Sequence, residues 1–353
     1  MKKLQFTALS TALFLATLGA AHAGAVITSG KVALGVNEDG SLNTDTGSIV
    51  QNSSLTGLAY NFGSPTAADW QDATSPGCYC EGWGVSVNGT HSGYANVDVD
   101  GGAVNLTVNS FSSTASTATS GVSISSLPGL TVNQHYAPST NASGVLFVDT
   151  VTITNNTGAA VSDLKYVRVM DWDIPKTEFD EYVTIKGTAT TTLLERSSNG
   201  GFSTANPLAN DSPLDASTVD TDFTDFFSVG NSGDHGAYFR FNFGTLADGD
   251  SYTFSIYYGA AENESSALAA IAAEQIELYS LGQSDLDGFN DNVGGGANNR
   301  APTFIFGFKG VGGQAQCGGP NQPPCPNQTP EPASLAMLGL GLLGLTAMRR
   351  RKA

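Results

Sequence analysis

Tyr238-Phe239-Arg240-Phe241-Asn242-Phe243-Gly244, followed after Asp248-Gly249 by Ser251-Tyr252-Thr253-Phe254-Ser255-Ile256-Tyr257-Tyr258, alternates large apolar and polar side chains over two runs. A period of two places Phe239, Phe241 and Phe243 on one face of a strand, and Tyr252, Phe254, Ile256 and Tyr258 on one face of another. Each large side chain buried this way contributes about 1.5–3 kcal/mol of transfer energy. Gly244 and Asp248-Gly249 supply turn chemistry, so the two runs read as a hairpin. Working outward, Val145, Phe147, Val151 and Ile153 share a face of Val145–Thr154, with Asp149 its lone polar member. Phe304, Phe306 and Phe308 form a late strand able to close the sheet. Short alternating runs between turn clusters recur from Val26 onward, the pattern of an antiparallel β-sandwich.

One segment departs from this period. Glu264-Ser265-Ser266 leads into an alanine-rich stretch with Leu268, Ile271, Ile276 and Tyr279 at helical spacing and Gly282 behind. It predicts a single helix over 264–281 packed against the sheet. The fold class expected is therefore all-β with one main helix.

The two ends of the chain are of another kind. Residues 1–23 carry Lys2 and Lys3, an apolar stretch around Leu13-Phe14-Leu15, and Ala21-His22-Ala23 before Gly24. This is the layout of a secretory signal peptide, with signal peptidase as its processing partner. At the other end stands Pro330-Glu331-Pro332, an apolar run of 16 residues from Ala333 to Met348, and Arg349-Arg350-Arg351-Lys352. As a helix the run spans about 24 Å, a little short of the ~30 Å hydrocarbon core, and the arginines snorkel to make up the difference. The basic tail stays cytoplasmic, which puts the preceding chain across the inner membrane.

That order of Pro-Glu-Pro, short transmembrane helix and basic tail resembles the PEP-CTERM sorting signal of Gram-negative bacteria. The resemblance covers the tail alone. It implies that exosortase, a membrane-embedded cysteine protease, reads Pro330, Glu331, Pro332, Arg349, Arg350 and Arg351, and that the body leaves a transient inner-membrane anchor for the cell surface or beyond. The family accompanies exopolysaccharide production and biofilm, so the resemblance implies a structural or binding role in an extracellular matrix, with polysaccharide as a partner. The layout expected is a signal peptide (1–23), a sandwich-like body of one large or two packed domains (24–309), a Gly/Pro/Cys linker (310–329) and the sorting signal (330–353).

Six of the 15 basic residues lie in the two end segments, against one of the 32 acids, leaving the body 31 acids, 9 bases and a formal charge of −22. Phosphate neutralisation needs basic patches, so nucleic-acid binding is excluded. Four cysteines suit the oxidising side of a membrane. Cys317 and Cys325 flank a turn-rich loop and are read as a disulfide, while Cys78 and Cys80 can pair only in a tight turn.

Most catalytic motifs fail. Asp45-Thr46-Gly47-Ser48 resembles the aspartic-protease loop but lacks the preceding apolar residues and a second copy. Ser162-Asp163-Leu164-Lys165 fits Ser-x-x-Lys but precedes a strand rather than opening a helix. His91, His135 and His235 have no ligand spacing, and Asp285-Leu286-Asp287-Gly288 with Asp291 matches a calcium loop only in part.

The distinctive stretch is Tyr166 to Pro175 and on to Tyr182–Lys186, which resembles, loosely, the bodies of other PEP-CTERM proteins of unassigned activity. Asp171, Asp173, Glu178, Asp180 and Glu181 place five carboxylates in 11 residues, beside Trp172. Asp171 and Asp173 project from one strand face, and the turn after Pro175 returns Glu178 or Asp180 toward it. Hard oxygens on a turn suit calcium; a solvated acidic edge is the plainer reading. Trp172 is either a core anchor or a stacking face for sugar, and a carboxylate pair leaves a polysaccharide-active enzyme as the alternative function. Edman sequencing of exported protein is expected to begin at Gly24; Met1 on exported material contradicts the leader.

Overall fold

A computed structural model describes residues 24–64, 66–209, 221, 224–228, 232–284, 296–298, 300–318 and 322–325. The proposed leader and sorting helix, and the 285–291 turn, lie outside the described residues. Antiparallel strands make three sheets among those described. A four-stranded meander orders Gly24–Ser29, Val32–Asn37, Leu58–Asn61 and Trp70–Asp72. A six-stranded sheet orders Leu194–Ser198, Gly236–Asn242, Lys165–Asp171, Gly82–Val87, His91–Asn96 and Gly102–Val104. A nine-stranded sheet orders Phe226–Phe227, Tyr182–Lys186, Leu278–Gln283, Thr303–Lys309, Ser251–Ala261, Leu146–Asn155, Leu127–Pro138, Ala118–Ile124 and Leu106–Ser113.

The phenylalanine runs are strands, but they do not form the hairpin that their turn residues suggest. Gly236–Asn242 lies in the six-stranded sheet and Ser251–Ala261 in the nine-stranded one, so the loop between them crosses from layer to layer. Their apolar faces meet by packing instead of pairing. Phe239 lies 5.7 Å from Phe306 and 5.3 Å from Phe308, and Phe241 lies 5.0 Å from Phe308. Phe243 stacks on Tyr252 at 4.2 Å. Period two specifies which face is buried and is silent on whether the covering strand is a neighbour in the sheet or a partner across the sandwich.

The helix is shorter than its spacing predicts. It runs Glu264–Glu274, opened by the Asn263 side chain accepting from the Ser266 N–H at 2.9 Å and closed by Gln275 at φ 58°. Leu278–Gln283 is a strand between Tyr182–Lys186 and Thr303–Lys309, buried on both faces. With no polar face, it satisfies a helical period and a strand period equally. Ala267, Ala270 and Ile271 of the helix pack on Tyr257, Tyr279, Leu281 and Ile305, covering one end of the outer face of the nine-stranded sheet.

Inside the sandwich sits a fully buried Arg168. Its Nε contacts Glu81, Nη1 donates to the Gln134 Oε1 at 2.8 Å, and Nη2 donates to the Gly40 carbonyl and the Tyr136 hydroxyl at 3.3 Å. Glu81 also accepts from the Leu42 N–H at 2.7 Å and the Tyr258 hydroxyl at 3.0 Å. Burial alone would discharge this arginine, but Glu81 and the surrounding tyrosine oxygens hold its pKa well above the ordinary value. Asp149, the polar exception on its strand face, lies near the same charge; burial pushes its pKa up to about 7, with Arg168 opposing.

Removing one partner of a buried ion pair costs about 3–5 kcal/mol because the other charge is left uncompensated. Arg168→Met is therefore expected to lower urea-unfolding stability by about that much, and adding Glu81→Leu to regain part of it. A single-variant loss under about 1 kcal/mol contradicts the network.

Candidate cation site

At its C-terminal end the strand Lys165–Asp171 leaves the six-stranded sheet, and ten residues later the chain enters the nine-stranded sheet at Tyr182. Residues 172–181 make this crossing, and they carry the acids. Segment 233–236 lies between the two strands. On one side Asp171 pairs with Gly236, and the Trp172 N–H donates to the His235 carbonyl at 3.1 Å. On the other side Glu181 and Gly233 exchange backbone hydrogen bonds of 3.2 Å, and the His235 N–H donates to the Glu181 Oε1 at 2.7 Å. The four-stranded sheet closes a third side, where the Asp173 N–H donates to the Ala73 carbonyl at 2.8 Å. Gly201 has no room for a Cβ because Asp171 occupies that place.

Three of the five sequence-predicted acids come together. Asp171, Asp173 and Glu181 are buried, at 1 %, 0 % and 0 % exposure. Glu178 is half-buried at the margin, where its Oε1 accepts from the Asn52 Nδ2 at 3.4 Å. Asp180 is exposed. Two acids distant in sequence join the group electrostatically, Asp72 and Asp234. Asp72 is well bonded, its oxygens accepting from the Gly57 N–H at 2.6 Å and the Thr74 N–H at 2.8 Å. Their contribution was not legible in the sequence, because strand pairing alone brings positions 72 and 234 beside 173.

The hydrogen-bond accounting within the group is incomplete. Both carboxylate oxygens of Asp173, Oδ1 of Asp171 and Oε2 of Glu181 are buried without a donor. The other oxygen of Asp171 lies 3.4 Å from the Cys78 Sγ, but that sulfur is bonded to Cys80 and has no proton to give. Among the described residues no lysine or arginine forms an ion pair with Asp171, Asp173 or Glu181; Lys176 points instead toward Asp69, 4.0 Å away. Burial raises the Asp173 pKa to about 10, helped by Asp171 and Asp234, and raises Glu181 to about 11. Asp171 is pushed well above the ordinary range by burial and then by Asp234.

The remaining motifs are dispersed. Asp45 is exposed, and Lys165 pairs with Glu195 at 2.8 Å while Ser162 bonds Asn88, so no serine–lysine dyad forms. Trp172 is wholly buried, its Nε1 donating to the Ser280 hydroxyl at 3.0 Å, and is a core anchor. Cys78–Cys80 and Cys317–Cys325 are both disulfide-bonded, with Cα atoms 5.2 and 4.9 Å apart.

Residues 328–352 match the family model of the PEP-CTERM protein-sorting motif. No curated protein matches the chain.

Acids with pKa values raised by folding bind more protons in the native state than in the unfolded chain, so stability falls as pH rises between the two values. Asp72 at about 6, Asp149 at about 7, Asp173 at about 10 and Glu181 at about 11 all act in this direction. In metal-free buffer the melting temperature is expected to fall from pH 6 to pH 9, and Asp173→Asn to flatten the slope. A rise over that range contradicts the protonated cluster.

Proposed function

We infer that this chain is an exported protein, released from a transient inner-membrane anchor by exosortase, whose body binds neutral polysaccharide in the matrix at the cell surface. The match at 328–352 carries the export reading, since it spans the Pro-Glu-Pro triplet, the apolar run and the basic tail. Signal peptidase removes residues 1–23, the body occupies 24–309, and 310–329 links it to the sorting signal 330–353. The linker begins against the body, where Glu277 accepts from the N–H groups of Gly310, Val311 and Gly313.

The binding reading rests on the outer face of the nine-stranded sheet beyond the helix. Strand registry lines up Thr119, His135, Thr150 and Ser255 in one row, Asn133, Thr152 and Thr253 in a second, and Ser123, Thr131, Thr154 and Ser251 in a third. Cross-strand bonds fix the hydroxyls: Thr152 to Thr253 at 3.1 Å and Thr154 to Ser251 at 2.7 Å. On a body of charge −22 this face has no carboxylate in those rows. A flat array of hydroxyls at strand spacing offers donors and acceptors to sugar hydroxyls, and the cation that ends the first row, Lys309, is bonded to the Glu274 carbonyl at 2.9 Å. The polysaccharide-active enzyme has less to support it at the acid cluster, because Asp171, Asp173, Glu181 and Trp172 are buried and only Glu178 and Asp180 reach solvent.

Two outcomes are expected. Without exosortase the protein accumulates in the inner membrane as an uncleaved precursor; unchanged size and export overturn the sorting reading. Thr152→Val with Thr253→Val keeps shape and removes two hydroxyls, each worth about 0.5–1.5 kcal/mol in a hydrogen bond. Co-sedimentation of the exported protein with neutral polysaccharide should weaken roughly tenfold, and undiminished co-sedimentation removes this face from the binding role.

A further inference from the structure

We propose that Asp171, Asp173 and Glu181 bind one divalent cation, calcium by its chemistry, where the chain crosses between the sheets. The observation that carries this is the set of buried oxygens without donors: two on Asp173, one on Asp171 and one on Glu181. A buried polar atom left without a partner costs free energy comparable to a lost hydrogen bond or more, and a buried carboxylate costs most. Three such side chains buried within electrostatic reach of one another, with no arginine or lysine among the described residues paired with them, is an arrangement the fold maintains against that cost.

Protons relieve it only in part. Each protonated carboxyl gains one donor, and the acceptor oxygens remain in excess because no N–H group points at Asp173's side chain. A divalent cation supplies two positive charges at one point and accepts several oxygens at once. All the ligands offered are hard carboxylate oxygens, which suits calcium or magnesium and disfavours metals that select nitrogen or sulfur. His235 lies alongside with its Nδ1 facing the Asn199 amide at 3.2 Å, and the sulfurs of Cys78 and Cys80 are joined in a disulfide.

Calcium is favoured over magnesium by the irregularity of the setting. The three acids come from a strand end and the far side of a ten-residue crossing, and among the described residues no three acid, histidine or cysteine side chains are placed to hold an ion as they stand, so binding requires their side chains to rotate. An ion that tolerates six to eight oxygens at about 2.3–2.6 Å and irregular geometry can draw such side chains in by rotation; one demanding a near-ideal octahedron at about 2.0–2.1 Å cannot do so readily. Asp171 is hemmed in by Gly201 and paired with Gly236 in the sheet, which leaves Asp173 and Glu181 as the side chains to rotate. The titratable groups facing the place are Asp72, Glu178, Asp234 and His235, of which the acids add to its negative potential.

The test uses the exported protein, stripped with chelator. Equilibrium dialysis with calcium-45 is expected to give one ion per chain. Thermal melts in calcium chloride should exceed those in sodium chloride of matched ionic strength by several degrees at about a hundredfold excess over Kd, and magnesium should do less. Asp173→Asn and Glu181→Gln should each abolish the calcium-specific shift, while Asp180→Asn, at the exposed acid of the same segment, keeps it. Equal melting temperatures in calcium and sodium, or absence of stoichiometric binding to the unmodified protein, overturn the proposal whether or not the variants fold. One ion retained by a folded Asp173→Asn protein places calcium elsewhere and overturns it equally.

Discussion

The guanidinium of Arg168 is the point to which all three sheets are tied. It stands on the six-stranded sheet, and its donors reach Gln134 and Tyr136 of the nine-stranded sheet and the Gly40 carbonyl at the tip of the four-stranded one. Glu81 repeats the arrangement with its acceptors, bonding Leu42 and Tyr258 as well as the arginine. Tyr258 presents its ring face to the guanidinium at 5.4 Å, a cation–π contact in a place without water to compete. An apolar core of the same volume would contribute as much burial. What the network adds is registry, because its donors and acceptors meet across all three sheets in this alignment of the layers.

That registry has a consequence at the end of the same strand. Tyr166, Arg168 and Met170 face inward, so the period carries Trp172 into the core with them. Asp171 takes the opposite parity and Asp173 follows it, but the sheet is ending there, and the return of the chain through Glu181 folds the acids inward as well. Placement of Trp172 in the core and burial of its two flanking aspartates are thus one event. The acids are buried because the tryptophan between them has to be.

How much of this was legible follows from the same residues. Alternation identified the strands, since burial of Phe239, Phe241, Phe254 and Phe306 depends only on period. It could not say that 236–242 and 251–261 lie in different sheets, because packing and pairing bury the same faces. The helix was legible through Asn263 and the alanines, and its end was not, since Gln275 adopts a left-handed backbone that no glycine marks. Five acids near Trp172 were visible as a cluster; which three would be buried depended on the crossing geometry. Asp149 on an otherwise apolar face was a sign of a buried cation, and Arg168, at the inward parity of Tyr166 and Met170, was the residue to pair with it. Reading inward parity for charges as well as for apolar side chains would have found the network from the sequence.

The acids of the body thus sit in physically different settings. Most of those among the described residues are solvated, and their mutual repulsion opposes association. Those at the sheet crossing are removed from water, where repulsion is no longer screened and neutralisation must be local. Between these regimes lies the hydroxyl face, without carboxylates in its rows and bounded at one end by the helix on Tyr257 and Ile305. A single outer sheet surface therefore has an apolar end that the chain covers itself and a polar end that it leaves open. If burial of apolar area alone governed the fold, the helix would have no reason to stop there; it stops because, past Tyr257, the outward positions of the strand Ser251–Ala261 and of its neighbours become serine and threonine, which gain more from water or from a hydroxylic partner than from an alanine-rich helix.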